Sequence, residues 1–460
     1  MSLRSLMRKG SGADRTAGSP ARTPARWGAC GPRDEHAPLD KIARQEAAKQ
    51  QRDAEREARR ADARAAKERA AEERERRKQD EQARRDAERR AQEEFEAQAF
   101  QHYQRVREWA ARMRSAADPA IALTDTEHAT LAALAPMWDA TPQMIATLRR
   151  CCEPVSGVRA SDYESRDSDM AKDLKRQIGF LRKQLGPELF VPESSILGGF
   201  GFVDQGALYN QDTVTSFYSL VALQDAAVLQ AFSGGAASRQ PTGHSAPRHV
   251  VWEIGGGWGG FAYQFKRVCP NVTYVITGHP DLFLLSAVYL MSAFPDARVC
   301  FLGHGPAEAG PHKENVGSAF RRTFELDDID FVFAPESAVP TLGLPRLDLT
   351  IDRMALQAKT CTRAAKHVER AFELGSRYFY TMNRIEAGLT RPAVHEAMER
   401  YFWPHPVPPR RDPKLEGMRA ATGVEADAEF SHLVGWKRIL LPGQRPIPNS
   451  LTPEPTSNAH

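Results

Sequence analysis

The sequence predicts an α/β chain, an open parallel sheet preceded by a helical region and a long charged helix. Three observations carry that reading. Residues His249–Thr277 run strand, glycine turn, helix, strand. Between Phe95 and Phe232, apolar residues recur at helical spacing. Residues Lys41–Phe100 hold 18 Lys/Arg and 16 Asp/Glu, with no large apolar side chain between Ile42 and Phe95.

From these follow the expected boundaries: a disordered tail 1–40, a charged helical arm 41–115 and a helical region 116–245 packing on the core. A sheet domain at 246–445 and a second disordered tail at 446–460 complete the chain. The 460 residues, at ~150 per domain, allow that organisation. The first tail is rich in Gly, Pro, Ser and Arg. The arm is built of helix formers, with acid-to-base pairs at i,i+4 such as Glu73/Arg77, Glu81/Arg85 and Asp86/Arg90. A coiled coil needs apolar a and d positions, which the arm lacks, so a single solvated helix is the expectation. It reads as a spacer, or as an arm that binds a protein partner.

Apolar residues return as the stripe Phe95, Phe100, Tyr103, Val106, Trp109 and Met113, expected to dock the helix end on the globular part. Thr141-Pro142 opens a helix predicted to reach about Arg150. Met170, Leu174, Ile178, Leu181 and Leu185 share one face of another, ended by Gly186-Pro187. Thr213–Phe232 has helical spacing, and 234–247 is a polar loop.

Composition excludes several function classes. The net charge of +4 is too small for nucleic-acid binding by bulk electrostatics. Leu282–Phe294, the longest apolar stretch, is short of the ~20 residues a bilayer requires. Six cysteines without a CxxC read as reduced thiols of a cytoplasmic protein. No His/Asp/Glu grouping has metal-ligand spacing, so no metal is expected.

The chemistry concentrates at Gly255-Gly256-Gly257-Trp258-Gly259-Gly260, directly after the strand His249–Ile254. Without Cβ atoms, Gly255, Gly257 and Gly259 let a nucleotide-like ligand approach the backbone at the mouth of the sheet. Gly255, Gly257 and Gly260 also fit the dinucleotide pattern GxGxxG, so an NAD reading stays open. Glu253 weighs against it. An acid at the strand tip would face a pyrophosphate unfavourably, but it suits the ammonium of S-adenosyl-L-methionine.

The runs VWEIGGGWGGFAYQF and YVITGHPDLFLLSAVYLMSAFPDARV, with the later LDLTIDRMALQ and RYFYTMNR, resemble the sugar O-methyltransferases. These are a branch of the class I S-adenosylmethionine-dependent enzymes. The resemblance covers roughly residues 190–390. It implies a Rossmann-like class I methyltransferase sheet of seven strands with helices on both faces, and methyl transfer to a hydroxyl of a small-molecule or glycan substrate. In that family the second strand ends in an acid that binds the ribose hydroxyls. Here Gly278 takes its place, and Asp281 at the start of the next helix is the candidate substitute. The family's Ser and Glu-Met pair after the fourth strand are absent, where Asp352-Arg353-Met354-Ala355 stands.

Methyl transfer to a hydroxyl needs a base for the proton, at a strand C-terminal end. Asp352 is the expected catalytic residue, with His279 and His304 next. Two other readings stay open: an inactive methyltransferase fold acting as a binding module, and an interaction protein working through its charged arm.

Overall fold

The structure, a computed structural model, describes residues 37–115, 122–164, 169–185, 187–233, 248–303, 326–384, 393–410 and 430–439. The tail up to residue 36, the loop 234–247, His304 and the tail 446–460 lie outside them. Met1–Ala87 and Glu88–His460 are two separate compact units.

The described part of the first unit is helix. Helix α1 (Ala37–Ser115) starts four residues ahead of the expected start of the arm at 41, and from Ala43 to Ala87 nearly every residue is exposed. Arg77–Glu73 and Arg85–Glu81 close at 2.6 Å, both pairs read from the i,i+4 spacing. Each such exposed pair contributes only ~0.3–0.5 kcal/mol, so helix propensity and the number of pairs hold this segment.

The second unit is a doubly wound, Rossmann-like α/β fold. Its strands are the hairpin β1 (Phe202–Asp204) and β2 (Ala207–Tyr209), then β3 (His249–Ile254), β4 (Val272–Gly278), β5 (Val299–Phe301), β6 (Phe331–Pro335), β7 (Leu349–Arg353), β8 (Tyr378–Arg384), β9 (Phe402–Pro406) and β10 (Phe430–Lys437). The last eight form one sheet in the order β5-β6-β4-β3-β7-β8-β10-β9. The first six of that order are parallel, and β10 runs antiparallel to both neighbours. The sheet therefore has eight strands, not the seven the resemblance implies. The short β5 is an additional edge beside β6.

Ahead of the sheet stand α2 (Asp125–Leu134), α3 (Pro142–Ala146), α4 (Glu153–Ser156), α5 (Asp169–Leu185), α6 (Gln211–Asp225) and α7 (Gln230–Ser233). Between and after the strands come α8 (Gly260–Val268), α9 (Pro280–Ala293), α10 (Cys361–Glu373) and α11 (Ala393–Tyr401). Strand alternation splits the core into two layers. Val251, Tyr274, Ile276 and Ile351 pack toward α6, α8 and α9, whereas Val250, Trp252, Val275 and Phe379 pack toward α10 and α11. Buried on both faces, the strands read as nearly continuous apolar runs.

The apolar stripe of α1 docks as expected. Tyr103, Val106, Trp109 and Met113 are buried, and Trp109 Nε1–H donates to Leu302 O at 3.0 Å. Thr141 caps α3, but that helix stops at Ala146 and a 3₁₀ turn (Leu148–Cys151) follows, well before the expected Arg150 end. The helix predicted over Thr213–Phe232 is broken after Asp225, where Ala227 adopts φ +57°.

A peptide of residues 43–87 is expected to give strong helical circular dichroism that is independent of concentration and weakens in 1 M salt as its ion pairs are screened. Sedimentation as a dimer would restore the coiled coil.

Candidate functional site

Parallel strands end together at one edge of the sheet, and there a cavity of about 1270 Å³ opens within the second unit. From β3 the chain crosses to β4 on one side, while β7 lies on the other, so the cavity sits at the switch point where open α/β sheets take ligands. Gly255, Gly278, Glu336 and Arg353, at or just past the ends of β3, β4, β6 and β7, line its floor. Residues of α2, α4, α5 and α6 wall it.

The glycine turn is shaped by close approach. Gly256 has φ +46°, and a Cβ there would lie 2.3 Å from Ile276 Cγ2. Gly257 has φ +50° and a Cβ there would meet nothing within 4 Å, because that face of the turn is the cavity. Gly259 belongs to a different contact. It does not line the cavity but packs on α9, where a Cβ would come 3.1 Å from Ser286 O.

Glu253 lines the cavity, 3% exposed, and accepts the Tyr274 hydroxyl proton at 3.0 Å. Burial pushes its carboxyl up to about 7, against the pull of the Arg353 charge and the Tyr274 hydrogen bond. Arg353 lies over the Phe261 ring at 4.6 Å.

The sequence did not signal the buried network beside the turn. Arg149, fully buried, donates from Nε to Glu193 Oε1 at 2.8 Å and from Nη2 to Asp212 Oδ2 at 2.7 Å. Its guanidinium stacks 3.8 Å from the Trp258 ring, and Trp258 Nε1–H donates to the same Asp212 oxygen at 3.1 Å. Burial disfavours the Arg149 charge, but Glu193 and Asp212 outweigh it and raise its pKa. Asp212 reaches the cavity wall.

A second network clasps α2 to the sheet. Arg363 and Lys359 each bridge Glu127 and Glu336 at 2.6–3.2 Å. Although burial opposes it, the Arg363 and Thr124 hydrogen bonds and the Lys359 charge bring Glu127 down to about 2.

Two expected site residues are placed elsewhere. Asp352 is fully buried and does not line the cavity. Its Oδ2 accepts from Thr381 Oγ1 at 2.6 Å and its Oδ1 from Leu356 N–H at 2.9 Å, which pins the turn after β7. Burial raises it to about 6. Asp281 accepts from Trp138 Nε1–H at 3.0 Å through Oδ2, keeps Oδ1 3.2 Å from His279 Nδ1, is 4% exposed and is also absent from the lining. At Gly278 itself a Cβ would make only ordinary contacts, the nearest 3.6 Å. His279 caps α9 and lines the cavity. Among the described residues, no cluster of three or more His, Cys, Asp or Glu is placed to hold a metal, and no helix is long and apolar enough to cross a membrane.

No family model matches the chain, and no curated protein matches it. Several solved structures are similar to it. A precorrin-6y C5,15-methyltransferase from Geobacter metallireducens GS-15 has 10% identity over 42% of this chain and 81% of its own, with a TM-score of 0.26. Magnesium protoporphyrin IX methyltransferase from Synechocystis PCC 6803 with bound SAM has 9% identity over 60% and 100%, with a TM-score of 0.29. Human N-acetylserotonin methyltransferase in complex with SAM has 15% identity over 61% and 74%, with a TM-score of 0.22.

The Glu253 environment makes a stability prediction. The folded chain keeps a proton there up to about pH 7, whereas the unfolded carboxyl releases it near its ordinary 4.5. Stability therefore falls as pH rises through that window, by at most ~3 kcal/mol from this group. Glu253→Gln is expected to remove this group's loss from the pH 5-to-8 difference in urea midpoint. An unchanged difference would return Glu253 to an ordinary carboxyl.

Proposed function

We propose that this chain is an S-adenosylmethionine-dependent methyltransferase whose acceptor is a hydroxyl, that of a sugar. One observation carries the reading. The open face of Gly257 and the Glu253 carboxyl share one cavity at the switch point of the sheet. A backbone without Cβ admits the cofactor against the turn, and Glu253 offers a negative partner for its ammonium. Gly255 lines the same floor, whereas Gly259 supports the turn from behind. The cavity exceeds the ~300–1,000 Å³ typical of a single ligand, which leaves room for an acceptor beside the cofactor. The sugar rests on the sequence resemblance alone.

When bound, the cofactor would supply a methyl group activated for displacement by the hydroxyl oxygen, with a neutral thioether as the leaving group. The hydroxyl proton must pass to a base. Asp352, with both oxygens occupied and no cavity surface, is ill placed for that. His279 lines the cavity and takes the role in this proposal. We further propose a cytoplasmic location, on the cysteines without a CxxC, and a spacer or partner-binding role for the exposed part of α1.

A second reading, a binding module without turnover, is favoured by Asp352 lying off the cavity and by Gly278 bringing no acid to it. Isothermal titration decides first. S-adenosylmethionine should bind, and more tightly at pH 7 than at pH 6, because the ammonium needs the charged form of Glu253. Binding of NAD in its place would end the methyltransferase reading. Transfer assays on a sugar panel then separate enzyme from module. His279→Ala should cut transfer ~10²-fold or more with cofactor affinity unchanged.

A further inference from the structure

Two arginines on neighbouring strands line the cavity, and neither has an acidic partner among the described residues. Arg353, at the end of β7, lies over the Phe261 ring, and its Nε is buried without an acceptor. Arg384, at the end of β8, is held through its backbone. Its N–H donates to Gln357 Oε1 at 2.9 Å, and its carbonyl accepts from Gln357 Nε2 at 3.2 Å. The carboxylates that line the cavity are engaged elsewhere. Glu127 and Glu336 pair with Arg363 and Lys359, Asp212 with Arg149 and Asp173 with Arg176, while Glu253 accepts from Tyr274.

The sheet sets the two arginines side by side. Arg353 pairs with Met382, and the two-residue period of a strand puts Arg384 on the same face. One strand across and two residues along separate their Cα atoms by ~8 Å. Phe430, opposite Arg384 on β10, lines the cavity as well. Strands β7 and β8 lie one and two places past β3, on the side away from β4. The pair therefore stands ~5 and ~10 Å to one side of the strand that carries the glycine turn. Two like charges at this spacing repel, and a buried donor without an acceptor is costly. An anion between them relieves both.

We propose that Arg353 and Arg384 form a subsite for an anionic group on the methyl acceptor, a carboxylate or a phosphate. The guanidinium fork matches two oxygens of either group, and two arginines grip it from both sides. Gln357 belongs to the turn after β7, so its hold on the Arg384 backbone keeps the pair in register. Phe430 offers an apolar face to the ring that carries the anion. The acceptor class assigned in this way is an acidic sugar, either a uronate or a sugar phosphate. Calling the carrier an acceptor and a sugar rests on the methyltransferase reading above, whereas the arginine pair does not.

The test is isothermal titration of the full chain, at fixed ionic strength, with glucose, glucuronate and glucose 6-phosphate. At least one of the two anions should bind ~10-fold or more tightly than glucose, as expected for charge-assisted hydrogen bonds. A gain for glucuronate identifies the carboxylate, and a gain for glucose 6-phosphate identifies the phosphate. Arg353→Met and Arg384→Met should each erase most of that gain, and Arg384→Lys should keep part of it. No gain for either anion over glucose would overturn the subsite without recourse to any variant. So would an undiminished gain in Arg384→Met, whose exposed side chain can be replaced without touching the core. Loss of S-adenosylmethionine affinity in an Arg353→Met that keeps its circular dichroism would give that arginine to the cofactor, and would also overturn it. A wild type that gains on the anions but does not bind S-adenosylmethionine would bring down the cofactor reading and leave the anion subsite standing.

Discussion

The glycine turn after β3 passes so close to its neighbours that it fixes everything around it. At Gly255 a side chain would come 2.3 Å from Ala355 Cβ, at Gly256 2.3 Å from Ile276 Cγ2, and at Gly260 2.2 Å from the Trp258 ring. The turn is therefore keyed at once to the loop after β7, to β4 and to its own tryptophan. A shift in any of them would move the backbone that forms the cavity floor. Gly257 is the exception, open on the cavity side. One turn thus separates glycines required by protein packing from the one that leaves room for a ligand.

Electrostatics tie the helices to the same turn. Arg149 follows α3, Glu193 sits on the bridge to the β1–β2 hairpin and Asp212 lies in the first turn of α6, yet all three meet behind Trp258. Removing one member of such a buried set leaves uncompensated charge and typically costs ~3–5 kcal/mol. The network therefore does more than fill space. It sets where α6 begins, and hence how Asp212 and its neighbours wall the cavity. The Glu127–Arg363–Glu336–Lys359 clasp does the same for α2, which also lines the cavity.

Legibility in the sequence followed the range of the interactions. The β3–turn–α8–β4 unit, the buried stripe of α1 and the solvated part of that helix were readable because periodicity, glycine and charge pairing act within a few residues. Arg149 was not, since its partners lie 44 and 63 residues away and nothing local marks it among the chain's many arginines. The break in the helix after Asp225 was missed for a related reason. Ala227 has no preference for the left-handed region, so the turn there is imposed by packing. The extra edge strand β5 is only three residues long, below what alternation can signal.

Asp352 shows how narrowly a strand-end reading can miss. The sequence placed an acid at the C-terminal end of a central strand, which is where it lies, and its carboxyl is raised by burial, as catalytic carboxyls often are. What the sequence did not supply was the face. Asp352 pairs beside Ile254 and shares its side of the sheet, the layer of Trp252 and Leu356, while Glu253 and Arg353 project to the other side, where the cavity lies. One residue of register separates a carboxylate that pins a turn from a guanidinium that meets the ligand space. Asp352 still bears on the site from behind. By holding Leu356 N–H and the Thr381 hydroxyl, it fixes the 354–359 turn, whose Ala355 closes on Gly255 and whose Lys359 reaches Glu127 and Glu336.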